Sequence, residues 1–168
     1  MVRRYQHGDH LAIGRIYHEA IHRLASRHYS IEQLNAWAGT KGDPDQWARD
    51  WQARCERKQP FVKVLDGEVV GFIELEPDGH IDCTFVDPDH AGQGIMDEIM
   101  TGVKQHALLQ GITRLFAEVS LTARKFFERQ GFVWVRDNIA TVNGTNLPNF
   151  IMEWTPVSIR TKPAIPPD

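Results

Sequence analysis

Long apolar runs, cysteines and one-sided charge are all scarce in this sequence of 168 residues. No window approaches the ~20 consecutive apolar residues that span a bilayer, which excludes a helical membrane protein. The start, Met1-Val-Arg-Arg-Tyr5, turns polar at once, so no signal-peptide core follows the arginines. Two cysteines, Cys55 and Cys83, are too few for a disulfide scaffold or a cysteine-based zinc site. Lys and Arg number 19 against 22 Asp and Glu, a formal net charge of −3, which argues against a basic nucleic-acid footprint. Hydrophobic residues make up 42% and charged ones 24%, outside the disordered and coiled-coil classes. Against a prior of about 150 residues per domain, the length gives one domain and a short remainder. We read a single cytoplasmic domain over residues 1–155. A poorly ordered tail is expected over 156–168, where Pro156, Pro163, Pro166 and Pro167 remove amides that a helix or sheet would use.

What is present comes in an informative order. Val2 to Tyr5 reads as a short strand, and Asp9 stands at an N-cap ahead of Leu11, Ile13, Ile16, Tyr17, Ile21 and Leu24 at helical spacing. Ser30 with Gln33 forms a capping-box pattern that opens a second helix through Leu34 and Trp37. Asp43-Pro44, a cap followed by proline at the first helical position, opens a third helix with Trp47, Trp51 and Cys55. Strands follow at 61–65, 69–75 and 80–86, turned by Asp66-Gly67 and Pro77-Asp78-Gly79. A glycine-bearing loop leads into a helix with the stripe Ile95, Met96, Ile99, Met100, Val103 and Ala107, stopped at Gly111. A strand at 115–119, a helix at 122–130, a strand at 132–142 and a last strand at 149–154 complete the order. The class is α/β: a central mixed, mostly antiparallel twisted sheet flanked by helices.

The loop Asp87-Pro88-Asp89-His90-Ala91-Gly92-Gln93-Gly94 enters a helix start, where unpaired amides and the positive dipole end favour an anion. It lacks the third glycine of a dinucleotide-binding fingerprint and the Gly-Lys-Ser/Thr of a nucleotide phosphate loop. By itself the loop is better read as a turn glycine and an N-cap with no ligand.

The run Phe85-Val86-Asp87-Pro88-x-x-x-Gly92-x-Gly94-Ile95, followed by Ala123-x-x-Phe126-Phe127-Glu128-x-x-Gly131-Phe132, resembles the GNAT (GCN5-related N-acetyltransferase) family. The segment Ala25-Ser-Arg-His-Tyr-Ser30, with Gln33-Leu34 and Ala36-Trp37-Ala38, looks like a small bacterial branch of it. The resemblance implies acetyl-CoA as co-substrate and no metal. It implies a pyrophosphate on the amides around Gly92, Gln93, Gly94, Ile95 and Met96, with Ala91 at the entrance. It also implies a pantetheine arm laid along Phe85 and Val86 like an added strand. Ser120 matches a position where relatives place a polar residue against that arm. Lys125 is either a partner for a CoA phosphate or an exposed helix lysine.

Three departures stand out. The first polar side chain of the family loop is Ala91 here, and its last small residue is Met96. Where many relatives carry a tyrosine held to protonate the departing thiolate, this chain has Phe127. Replacement acids are Tyr29, Cys83, Ser120 or water, and Tyr29 can equally contact the acceptor or anchor its turn. Strand alternation sets Asp82 on the face opposite Cys83, and Glu74 beside Phe72 and Glu76. Asp82 and Glu74, carboxylates in apolar strands, suit a general base with raised pKa, or a solvated face paired to an arginine.

Histidines His18 and His22 lie one helical turn apart without a third ligand, so a solvated face fits better than a metal site. Trp37, Trp47 and Trp51 line an acceptor pocket or, at helical spacing, form core. The expected activity is acetyl transfer from acetyl-CoA to a primary amine by direct attack in a ternary complex. A non-catalytic acetyl-CoA-binding regulatory module and a toxin-system interaction protein are the rival readings. The acidic balance favours a cationic acceptor, and a second copy of the chain is an open partner.

Overall fold

The computed structural model describes residues 1–156, so the tail expected from 156 onward lies outside them except for Pro156, which is buried. The elements are β1 Val2–Arg4, α1 His10–Leu24, α2 Ile31–Ala38, α3 Pro44–Lys58, β2 Phe61–Leu65, β3 Glu68–Leu75 and β4 Ile81–Val86. They continue as α4 Ile95–Leu109, β5 Leu115–Ser120, α5 Arg124–Arg129, β6 Val133–Val142 and β7 Thr145–Trp154. The order is the one read from the sequence. No helix among the described residues is long and apolar enough to cross a membrane.

Local chemistry accounts for most boundaries. Ser30 and Gln33 form the reciprocal capping box of α2, and the Asp43 carboxylate accepts from the Gln46 amide at 2.8 Å to cap α3. Asp9 is a correction: its carboxylate takes Arg3 at 2.6 and 3.0 Å and the Gln6 amide at 2.8 Å, and gives α1 no side-chain cap. A forked guanidinium within reach outcompetes single amides. Asn143 and Gly144, both at positive φ, make the tight turn between β6 and β7. The last strand begins at Thr145 instead of 149, running through Pro148. Proline is tolerated there because β5 ends opposite Asn149, leaving β7 one neighbour at that point.

Strands β1-β2-β3-β4 form one antiparallel sheet and β5-β7-β6 another. Among the described residues the two join by a single parallel bridge between His80 and Phe116. That bridge makes the whole mixed yet mostly antiparallel. Helix α4 packs its stripe, Ile95, Ile99, Met100 and Val103, against Ile73, Leu75, Ala117 and Val119 from both sheets. On the opposite face Ile13 and Ile16 of α1 and Cys55 of α3 meet Val62, Val69 and Phe72. Gly14 lets Trp47 and Trp51 lie on α1, since a Cβ there would sit 2.7 Å from Trp47. Those two tryptophans belong to the packing of α1 on α3.

The register between β3 and β4 slips between Ile73 and Leu75, which oppose Thr84 and Ile81. One extra residue therefore enters β4 at Asp82 and Cys83, a bulge that ends strict alternation. The expectation that Asp82 and Cys83 face opposite ways fails for this reason.

Candidate active site

The glycine loop is built for exposed amides. Gly92 and Gly94 both sit at φ +79°, and no atom lies within 4 Å of where either Cβ would be. Asp87, buried at the end of β4, braces the loop by accepting from the Asp89 amide at 2.9 Å and from Arg15 of α1 at 2.8 Å. Burial pushes the Asp87 carboxyl up, but the Asp89 amide and Arg15 outweigh it and hold the group below its ordinary value. The Gln93 side chain donates to the Asp89 carbonyl at 3.2 Å. Helix α4 starts its ladder with the Glu98 amide on the Gly94 carbonyl, so the amides of Ile95, Met96 and Asp97 have no helical partner. The first-turn acids are drawn aside: Asp97 accepts from Gln130 at 2.6 Å and Glu98 pairs with Lys63. Ala91 and Gln93 are exposed, Ile95 is buried and Met96 half-buried.

Beside the loop the two sheets part, leaving the edge of β4 open. Asp87 donates its amide to Val70 of β3 at 2.9 Å, so alternation turns the Val86 amide to the open edge. Two cavities fill the gap. The smaller, about 180 Å³, is walled by Ile21, Phe85, Val86, Met96, Ser120 and Phe126. The larger, about 310 Å³, takes in Tyr17, Tyr29, Arg54, Asp82, Glu118 and Phe127. Trp37, Thr84, Phe85, Ser120 and Ala123 line both and make them contiguous. At that junction the Thr84 hydroxyl oxygen is buried with no partner among the described residues, a polar atom left for a ligand.

The expected site residues separate here. Phe85, Val86, Met96, Ser120 and Phe127 line the cavities, and Ala91, Gly92, Gln93, Gly94 and Ile95 form the loop at their mouth. Lys125 is exposed on α5 and lines neither cavity. Trp37 lines both and packs against Phe85 at 6.1 Å. Phe127 is 2% exposed, with its ring against Phe126 and Phe132, and brings no hydroxyl to the wall. The Tyr29 hydroxyl donates to the Pro148 carbonyl at 2.7 Å and accepts from the Leu121 amide at 2.9 Å, and burial raises its pKa.

The bulge gathers Glu74, Asp82 and Cys83 around one guanidinium. Arg54 of α3 meets Glu74 through two bonds of 2.9 and 2.6 Å, Asp82 at 3.0 Å and the Cys83 sulfur at 3.2 Å. Those three side chains lie close enough together to share an ion, but Arg54 already supplies their cation. Burial raises the Glu74 carboxyl against the pull of Arg54, as a candidate base requires. Asp82 corrects the expectation of a raised pKa. Burial pushes it up, yet the Lys58 ammonium at 2.9 Å and the charge of Arg54 bring it below its ordinary value. Burial drives the Cys83 thiol well above its ordinary value, so it stays protonated and a poor nucleophile.

Arg54, Tyr17, Thr84 and Glu118 carry the site without having been named as site residues from the sequence. No sequence signal marks a site role for them: Arg54, Tyr17 and Glu118 acquire their partners only when separate elements meet, and Thr84 comes to the junction of the cavities with none among the described residues.

Comparisons with known proteins bear on the family and the fold. A family model described as an acetyltransferase (GNAT) domain matches residues 25–154. The chain is 31% identical over 155 residues to the uncharacterized N-acetyltransferase YafP of Escherichia coli K12, covering 92% of this chain and 95% of that one. A GCN5-related N-acetyltransferase from Rhodopseudomonas palustris superposes with a TM-score of 0.84 at 28% identity, over 92% of this chain and 94% of that one. The fold is shared with yncA of Salmonella typhimurium, solved with its cofactor acetyl-CoA, at TM-score 0.67 and 18% identity over 99% and 97% of the two chains. On the match of its family model and of its relatives along nearly the whole domain, this chain belongs to the GNAT acetyltransferase family.

Proposed function

We propose that the protein transfers the acetyl group of acetyl-CoA to a primary amine by direct attack in a ternary complex. The parting of β4 from β5 supports this reading most. It leaves a strand edge, an anion-ready helix start and a two-chambered cleft in one line. In this reading the amides from Gly92 to Met96 hold the pyrophosphate, and Phe85, Val86, Thr84 and Ser120 hold the arm. When bound, acetyl-CoA supplies a thioester carbonyl as the electrophile. The Val86 amide stabilises the oxygen of that carbonyl as charge develops on it. Tyr17, Trp37 and Phe85 form an aromatic wall, with Tyr17–Phe85 centroids 4.9 Å apart, that excludes water from the attacking nitrogen.

Asp82 lines the cavity and, although Arg54 and Lys58 keep it a weak base, can orient a water that carries the amine's proton away, whereas Glu74 is sealed behind Arg54. Tyr29 anchors the cavity wall, both roles of its hydroxyl being occupied. With Phe127 in the usual acid's place, the thiolate leaves largely unaided, which a thiol pKa of about 8.5 permits near neutral pH.

The test is a free-thiol release assay with acetyl-CoA across a panel of amines, beside Gly94→Glu. The variant sets a carboxylate on the phosphate site at a backbone angle that L-residues rarely adopt, and should abolish turnover. Unchanged turnover would overturn the loop assignment. Calorimetric binding of acetyl-CoA without thiol release for any amine would favour the regulatory-module reading, and no binding the interaction-protein reading.

A further inference from the structure

Resting on the acetyl-transfer reading above, we propose that Glu118 receives the acceptor amine in its ammonium form and that His80 is the residue that positions Glu118 for it. Three charged side chains line the larger cavity: Arg54, Asp82 and Glu118. Two of them are already paired with opposite charge. Arg54 turns its Nε and Nη2 to Glu74, Asp82 and Cys83, and Asp82 is held between Arg54 and Lys58. Glu118 has one partner among the described residues, the His80 Nε2 at 2.6 Å, and its other carboxylate oxygen has none. The negative charge left for a ligand in this cavity is therefore on Glu118.

His80 is placed to control that charge. Its Nδ1 lies 3.2 Å from Glu76, so the imidazole is held between two carboxylates. Its backbone amide donates to the Asp78 carboxylate at 3.0 Å, and Asp82 adds a further negative charge nearby. Against these, Lys58 pairs with Glu76, and Arg114 lies over the Phe116 ring on which His80 stacks at 5.1 Å. Burial lowers the His80 pKa, but Glu118 and Glu76 outweigh it and raise it above its ordinary value. Each carboxylate asks for an N–H, and only the imidazolium supplies two. When His80 is charged it neutralises part of Glu118; when it is neutral the carboxylate is free to bind a cation. His80 also forms the only bridge between the sheets among the described residues, so the joint of the fold fixes where Glu118 points.

The experiment is steady-state kinetics of thiol release with hexylamine for wild type, Glu118→Gln, Glu118→Asp and His80→Gln, across the neutral pH range. Glu118→Gln should raise the amine KM by about 3- to 10-fold, a charged hydrogen bond discounted for the exposure of Glu118, and leave the acetyl-CoA KM within about twofold. Glu118→Asp should recover part of the loss. In wild type the amine KM should rise as pH falls through the His80 transition, and His80→Gln should flatten that limb. An amine KM within about twofold of wild type in Glu118→Gln, with turnover intact, overturns the assignment while leaving acetyl transfer standing. If wild type turns over no amine, the acetyl-transfer reading fails, and hexylamine is titrated calorimetrically into the CoA-loaded protein. Heat lost in Glu118→Gln supports the site; equal heats, or none with wild type, overturn it.

Discussion

Arg54 and Glu74 meet fork to fork, Nε to Oε1 at 2.9 Å and Nη2 to Oε2 at 2.6 Å, with the carboxylate wholly out of solvent. A carboxylate buried that deeply is tolerable only because a rigid guanidinium satisfies both of its oxygens. The same guanidinium then reaches Asp82 and Cys83 across the bulge in β4. One residue of α3 thus sets the floor of the larger cavity.

Removing that guanidinium alone should be costly. Arg54→Met leaves Glu74 buried and uncompensated, a loss of about 3–5 kcal/mol. At about 2–4 °C per kcal/mol for a domain of this size, the melting temperature should fall by roughly 6–20 °C. The double variant Arg54→Met, Glu74→Met should recover most of that. Thermal unfolding of the three proteins decides it, and a double variant no more stable than the single one refutes the argument.

Tyr29→Phe separates anchoring from proton transfer. The variant leaves the Pro148 carbonyl and the Leu121 amide without their side-chain partner, a loss of about 1–3 kcal/mol. Its kcat at saturating substrates should stay within about threefold of wild type, far from the ~10²–10⁴-fold loss of a general acid. A drop of that larger size would restore Tyr29 to the chemistry.

Phe127→Tyr should do the opposite. A hydroxyl added to the cavity wall supplies the proton donor this chain lacks, and kcat should rise by at least about tenfold with little change in either KM. An unchanged kcat would mean that thiolate departure does not limit the rate.

Stability should follow the charge on His80. Its folded pKa lies above the unfolded value of about 6.5, so the imidazolium between Glu76 and Glu118 stabilises the protein fully below that pH. The contribution disappears as pH rises through the elevated folded value. The gap in melting temperature between wild type and His80→Gln should therefore be widest in mild acid and close toward alkaline pH. A gap independent of pH would show that the ring acts only by stacking on Phe116.

Much of the fold was legible because its signals are local. The capping box at Ser30, the proline start of α3 and the tight turns at Asp66-Gly67 and Asn143-Gly144 each concern residues a few positions apart. The glycine loop was legible for the same reason. What escaped depends on register and tertiary contact. Alternation cannot foresee a bulge, so Asp82 and Cys83 were set on opposite faces, whereas both turn to Arg54. Arg54 itself stands in a strongly polar helix, where an arginine reads as solvated surface. Asp82 was expected with a raised pKa because its strand is apolar; Lys58, from a helix with no sequence relation to that strand, reverses it. Pro148 hid the first half of β7, since one open side makes the missing amide harmless.

The single bridge at His80 also shapes the order in which the molecule can assemble. All four strands of the first sheet lie within the first 86 residues, and each pairs with its neighbour in sequence or across the intervening helices. Within it the β2-β3-β4 meander is rich in local contacts and can close early, while β1 must reach β2 across three helices and β5 must wait for β7 across α5 and β6. On a growing chain the strand that later faces the cleft is complete before the cleft has a second wall. The binding chamber is thus a late product of folding, formed when the C-terminal hairpin delivers β7 to β5 and the two halves meet at one histidine.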